Sequence, residues 1–190
     1  MEYILILIAA ILTDNFVFSK FLGIEQAFVS TEKPLNAVWG GGLVTGVSIV
    51  AGGITYLLYS FVLNPLKISF LTLPLGVLII AATVSGLEAV SAKNNALEEV
   101  LRCHFPMITT NGVIMGAVFL AIENNLNVGA SFLLLLGAGL GYTLAALILA
   151  SMRERLQQSN PPAAFAGIPI MIAAAALAVM AFSGFAGLRF

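Results

Sequence analysis

The chain has 190 residues, of which 60% are hydrophobic and only 9% charged, against roughly 25% charged in a typical soluble domain. Mean hydropathy is +1.05 and the formal net charge is −1. So few charges exclude a cytosolic enzyme, a disordered segment and a secreted disulfide scaffold, and the charge balance leaves no basic field for nucleic acid. The composition is that of an all-α integral membrane protein whose solvent is the lipid bilayer.

A helix crosses the bilayer core with about 17–25 apolar residues, and six such elements follow in chain order. The first, Tyr3–Ile24, is apolar to Leu12, is interrupted at Thr13-Asp14-Asn15, and resumes from Phe16 to Gly23. Glu2 stands where a signal peptide carries positive charge, so this run is expected to stay in the mature protein. The second, Leu35–Leu63, has Trp39 near its start as an interfacial anchor. The third, Phe70–Val90, holds Glu88 close to its end. The fourth, Phe105–Ile122, opens with Pro106 and carries Thr109-Thr110-Asn111-Gly112 near its middle. The fifth and sixth are Val128–Met152 and Ile168–Leu188, with Pro161-Pro162 marking the connection between them as non-helical. The runs are continuously apolar, whereas a β-barrel strand alternates with period two.

Lys33, Lys93, Arg102, Arg153 and Arg155 lie in the loops after elements one, three and five; the opposite side has only Lys67 and Arg189. Five against two places both termini outside the cytoplasm.

The two odd elements are related. Asn15 and Asn111 are 111 − 15 = 96 residues apart, and Gly40-Gly41-Gly42-Leu43 is echoed by Gly137-Ala138-Gly139-Leu140 at an offset of 97. Two halves of three spans, about residues 1–95 and 96–190 of a single transmembrane domain, must lie in opposite orientations because three is odd. The pattern predicts an inverted repeat with an interrupted first and fourth element. Irregular backbone at membrane depth is tolerated only inside protein or beside water, so the interruptions are expected to meet near the midplane, where such folds hold ions, substrates or redox centres.

Asp14, Asn15, Lys20, Thr109, Thr110 and Asn111 place polar groups at that depth and are the candidates for the midplane and for contact with a partner chain. Asp14 and Lys20 either neutralise each other or meet a sister chain. Glu25 and Glu88 are candidates for an ion path, and Glu88 is close enough to its helix end to reach the interface instead. Gly42–Gly46 and Gly137–Gly141 read as small-xxx-small pairs that let helices approach closely. The run Gly137 to Tyr142 lacks the last glycine of a dinucleotide fingerprint. One cysteine, Cys103, and one histidine, His104, share a loop; they build neither a catalytic triad nor a tetrahedral metal site and read as a buried or interfacial thiol beside an interfacial histidine.

The stretch Asp14-Asn15-Phe16-Val17-Phe18-Ser19-Lys20-Phe21-Leu22-Gly23 resembles the family that contains the A subunit of the Rnf electron-transport complex and the E subunit of the sodium-pumping NADH:quinone reductase. Phe105-Pro106-Met107-Ile108-Thr109-Thr110-Asn111, Arg153-Glu154-Arg155-Leu156 and the tail from Ala181 to Leu188 carry the same likeness, in the same order along the chain. The resemblance implies a membrane subunit of an ion-translocating oxidoreductase in the cytoplasmic membrane of a bacterium or archaeon. Such a complex couples electron transfer to Na⁺ or H⁺ movement. It also implies a sister subunit of the same six-helix fold and opposite topology, like the E subunit of Rnf or the D subunit of the reductase, together with further Rnf-like subunits. The family's 2Fe–2S cluster, shared with that sister, takes one cysteine from each half. Here the two positions are Glu25 and Gly112. A cluster is held by thiolates, and neither residue supplies one. The alternative function is a small inverted-repeat transporter or channel, or a structural subunit, that has lost redox chemistry.

Overall fold

The computed structural model describes residues 2–30, 34–92, 104–159, 161–162 and 165–185, and every described element is helical. Lys33, Lys93, Arg102, Cys103 and Arg189 lie outside the described residues.

Helix α1, Tyr3–Thr13, is apolar throughout and ends in a π-helical turn over Ala9–Thr13. After a non-helical stretch comes the short α2, Ile24–Ser30. Helix α3 spans Pro34–Leu63, α4 Ser69–Ser91 and α7 Val128–Gln157, and these three are long and apolar enough to cross a membrane. Between them lie α5, Phe105–Thr109, and α6, Gly112–Glu123, while α8 covers Ile168–Ser183. Order along the chain is therefore broken helix, long helix, intact helix, and then the same again.

The long helices α3 and α7 form the spine, and their packing shows the repeat directly. A Cβ built on Gly41 would run into Thr143, and one on Gly139 would lie 2.5 Å from Thr45 Cα. Thr45 Oγ1 donates to Gly41 O at 2.8 Å, Thr143 Oγ1 donates to Gly139 O at 2.9 Å, and the two hydroxyl oxygens are 3.5 Å apart. Each helix thus offers the other a glycine and a threonine in the same pairing, as a pseudo-two-fold axis requires. Threonines that bond back one turn leave only a methyl and a small polar edge outward, which suits so close an approach.

Three sequence expectations change. Gly41, Gly52 and Gly53 are packing glycines of α3, whereas a Cβ added at Gly42 or Gly46 would meet nothing within 4 Å. The repeat register is therefore 98, from 139 − 41 and 143 − 45, one more than the glycine echo suggested. On the other side Gly137 and Gly141 do pack closely, with their added Cβ atoms 2.7 Å from Ala10 Cβ and 2.9 Å from Ala10 O. Finally, α7 continues past Met152 to Gln157, so Arg153 and Arg155 belong to a helix end and not to a loop.

Two asparagines start helices in the second half. Asn127 accepts from Ala130 N at 2.8 Å ahead of α7, and Asn111 accepts from Val113 N at 2.9 Å ahead of α6. Both satisfy amide groups that a helix leaves orphaned at its first turn.

Candidate functional site

The first interruption is longer than the polar triplet suggested. Residues 14–23 are non-helical, and Phe16, Val17 and Phe18 in their middle are fully buried. Their hydrophobicity made them look like the continuation of a span; in the fold they are a loop driven into the core. Phe18 packs on Phe182 with ring centroids 4.5 Å apart. Asn15, with no exposed surface, organises this loop. Its Nδ2 donates to Ile11 O at 2.8 Å and to Gly141 O of α7 at 2.9 Å, while its Oδ1 accepts from Val17 N and Phe18 N at 3.0 and 3.2 Å. All four capacities of the amide are used, which is what burial at membrane depth demands.

The second interruption is tight. Helix α5 ends at Thr109, Thr110 turns outward, and Asn111, only 3% exposed, caps α6. The Asn111 Nδ2 finds no hydrogen-bond partner among the described residues. The related asparagines thus do the same local job with unequal completeness.

The two interruptions meet, as the repeat requires. Leu22 lies against both Gly112 and Gly116, and Gly23 packs on Asn111 and Val113. Gln26 Nε2 of α2 donates to Thr110 O at 3.4 Å, bridging one break to the other. Gly23 has φ +71°, and an added Cβ would lie 2.8 Å from Asn111 Oδ1 and 2.9 Å from Val113 Cγ2. Only glycine serves there. Sequence reading missed Gly23, Gln26 and Thr45, although the Leu-Gly following a non-helical run was a signal for a left-handed turn.

Among the polar candidates, Asn15 and Asn111 are interior, Thr109 bonds back to Phe105 O at 3.1 Å, and Asp14, Lys20, Glu25 and Thr110 are exposed. Burial holds the two asparagines inside this chain, whereas the exposed four lie on its surface. Phe21 joins them, 58% exposed with φ +57°, a backbone conformation that costs about 1–2 kcal/mol for a residue with a Cβ. Asp14 and Lys20 form no ion pair among the described residues; the Lys20 ammonium stands 5.9 Å from the centre of the Phe16 ring. Glu88 is exposed near the end of α4, away from the breaks in sequence.

The donor set at the family's cluster positions is Glu25, exposed in the first turn of α2, and Gly112, which has no side chain. A hard carboxylate and a glycine do not fit a cluster held by soft thiolates. His104, 4% exposed, lies beside Gln26, Asn111 and Tyr142 around a cavity of about 10 Å³, close to the smallest volume that takes one water.

An all-helical chain with helices apolar and long enough to cross a membrane, two interrupted helices that meet, and a reciprocal helix pair at its centre fits a multi-span membrane protein. The family described as Rnf-Nqr subunit, membrane protein, matches residues 3–189, and the chain belongs to that family. It is 38% identical over 190 residues to the A subunit of the Na(+)-translocating ferredoxin:NAD(+) oxidoreductase complex of Acetobacterium woodii, covering 100% of this chain and 99% of that one. It is 39% identical over 189 residues to the A subunit of the ion-translocating oxidoreductase complex of Rhodobacter capsulatus, and equally to that of Vibrio cholerae, covering 98% of this chain and 97% of each relative.

Proposed function

We propose that this chain is the A-type membrane subunit of an Rnf-like complex that couples electron transfer to the movement of Na⁺ or H⁺. The observation that supports this most is the full-length likeness to A subunits together with the paired interruptions, the part of the fold that lipid cannot cover. Non-helical backbone over residues 14–23, with Asp14, Lys20, Phe21, Glu25 and Thr110 exposed on or beside it, calls for a protein neighbour at that depth. A sister subunit of the same fold and opposite topology meets that need. Glu25, freed from any ligand role, faces this junction as an ion-path carboxylate.

The chain is proposed to contribute no ligand to an iron–sulfur cluster. Tagged in its native membrane and purified in mild detergent, it is expected to bring flavin- and iron–sulfur-containing subunits with it. Recovery of the chain alone, or only with copies of itself, would favour the transporter reading. In the same preparation, Glu25→Ala and Gly112→Ala are expected to leave iron and acid-labile sulfide unchanged. A Cβ at Gly112 meets Leu22 at 3.4 Å, ordinary contact, so the second variant perturbs little else. Loss of one 2Fe–2S equivalent in either variant would show that the chain does hold the cluster.

The charge bias gives the orientation, with both termini outside and the Arg153–Gly167 segment inside. Reporter fusions after Phe190 and at Gln158 are expected to report opposite sides. A C-terminal fusion that reports the cytoplasm would invert the map.

A further inference from the structure

A groove of about 570 Å³ opens between the ends of α2 and α7 and the start of α8, lined by Phe28, Arg153, Leu156, Ile168, Met171 and Ile172 among others. Its walls are mostly apolar, with Gln157, Ser159 and the cation Arg153 among the described residues that line it. Arg153 is half-buried and donates through one guanidinium nitrogen to Phe28 O in the last turn of α2 at 3.2 Å. A guanidinium carries five N–H donors, and among the described residues Arg153 has no carboxylate partner.

Depth follows from helix geometry and does not depend on which end is cytoplasmic. From Val128 to Arg153 is 153 − 128 = 25 residues of continuous helix, or about 38 Å at 1.5 Å per residue. The hydrocarbon core is about 30 Å thick. When the start of α7 lies at one interface, Arg153 lies among the headgroups of the other leaflet. Ile168 and Ile172, 75% and 56% exposed, continue the groove wall outward toward the acyl chains.

We propose that this groove holds one anionic phospholipid, its phosphate against the Arg153 guanidinium and an acyl chain along Met171 and Ile172. Charge complementarity selects the occupant: a half-buried guanidinium at headgroup level, with no carboxylate partner among the described residues, takes a phosphate bidentately, and the apolar walls take the chain attached to it. The lipid then ties α2, which follows the first interruption, to the ends of α7 and α8.

The test is native mass spectrometry of the full chain with its co-purified subunits, in detergent doped with dioleoyl phosphatidylglycerol or dioleoyl phosphatidylcholine. Wild type is expected to retain the anionic lipid preferentially, and Arg153→Gln to lower its retention about fivefold. Because that variant also removes a bond to α2, Ile172→Trp is the second arm. It blocks the apolar wall, leaves Arg153 in place, and is expected to lose the same adduct. Equal retention of the two lipids, or unchanged retention in both variants, would overturn the proposal. So would displacement of the lipid by millimolar inorganic phosphate, or a cross-link from residue 172 to a neighbouring subunit in place of lipid.

Discussion

Gly23→Ala is expected to be among the most damaging single-methyl changes in the chain, at about 2–5 kcal/mol. Two costs combine. An alanine at φ +71° forfeits about 1–2 kcal/mol from left-handed backbone alone. Its methyl must then occupy space 2.8 Å from Asn111 Oδ1 and 2.9 Å from Val113 Cγ2, and overpacking of this kind costs about 1–3 kcal/mol. The injury falls on the junction itself, because the oxygen being displaced is the cap of α6. Fluorescence-detected thermal unfolding in detergent is the measurement, with Gly42→Ala and Gly46→Ala as controls. A Cβ added at either control glycine would meet nothing within 4 Å, so those changes should be neutral or stabilise by up to about 1 kcal/mol through helix propensity. A Gly23→Ala protein as stable as Gly46→Ala would mean that the two interruptions do not meet as described.

The second large effect separates the two asparagines that the sequence makes look equivalent. Asn15→Ala strips partners from the N–H groups of Val17 and Phe18, which are 0% and 2% exposed as residues. At about 1–3 kcal/mol for each orphaned buried group, the loss reaches about 2–6 kcal/mol before the carbonyls of Ile11 and Gly141 are considered. Asn111→Ala removes a single capping bond to Val113 N, worth about 0.5–2 kcal/mol. Aspartate sharpens the contrast. At position 15 it keeps the acceptors but sets an oxygen against Ile11 O and Gly141 O; at position 111 it keeps the cap and replaces a nitrogen that has no partner among the described residues. Asn15→Asp is therefore expected to abolish accumulation of folded protein, and Asn111→Asp to be extracted in near-normal yield. Equal yields would show that the asymmetry between the repeats has no energetic weight.

The two breaks, the family and the six apolar elements were legible because polar triplets in apolar runs are conspicuous. What stayed hidden has a common cause: in a membrane protein hydrophobicity no longer marks which face is inside. Phe16-Val17-Phe18 reads as span although it is a buried loop, since both environments select the same residues. Gly42 and Gly46 match a close-packing pattern as well as Gly41 does, and only the reciprocal threonines reveal which glycine faces α7. Nor does a sequence separate Asn15, with every hydrogen bond made, from Asn111. The charged end of α7 misled for another reason: Arg153 and Arg155 look like loop, yet cations suit the last turn of a helix.

The bond from Asn15 to Gly141 O spans 126 residues of chain, and this sets a timetable for biosynthesis. A ribosome adds about 5–20 residues each second, so about 6–25 s separate the synthesis of these two groups. By the later part of that interval the first three spans have been made, with an amide-bearing loop that still lacks its acceptor on α7. A nascent first half must be sheltered from bulk lipid until the fifth span arrives. Cells short of insertase or membrane chaperone capacity should therefore lose this protein early, by proteolysis at residues 14–23 rather than at the cytoplasmic loops.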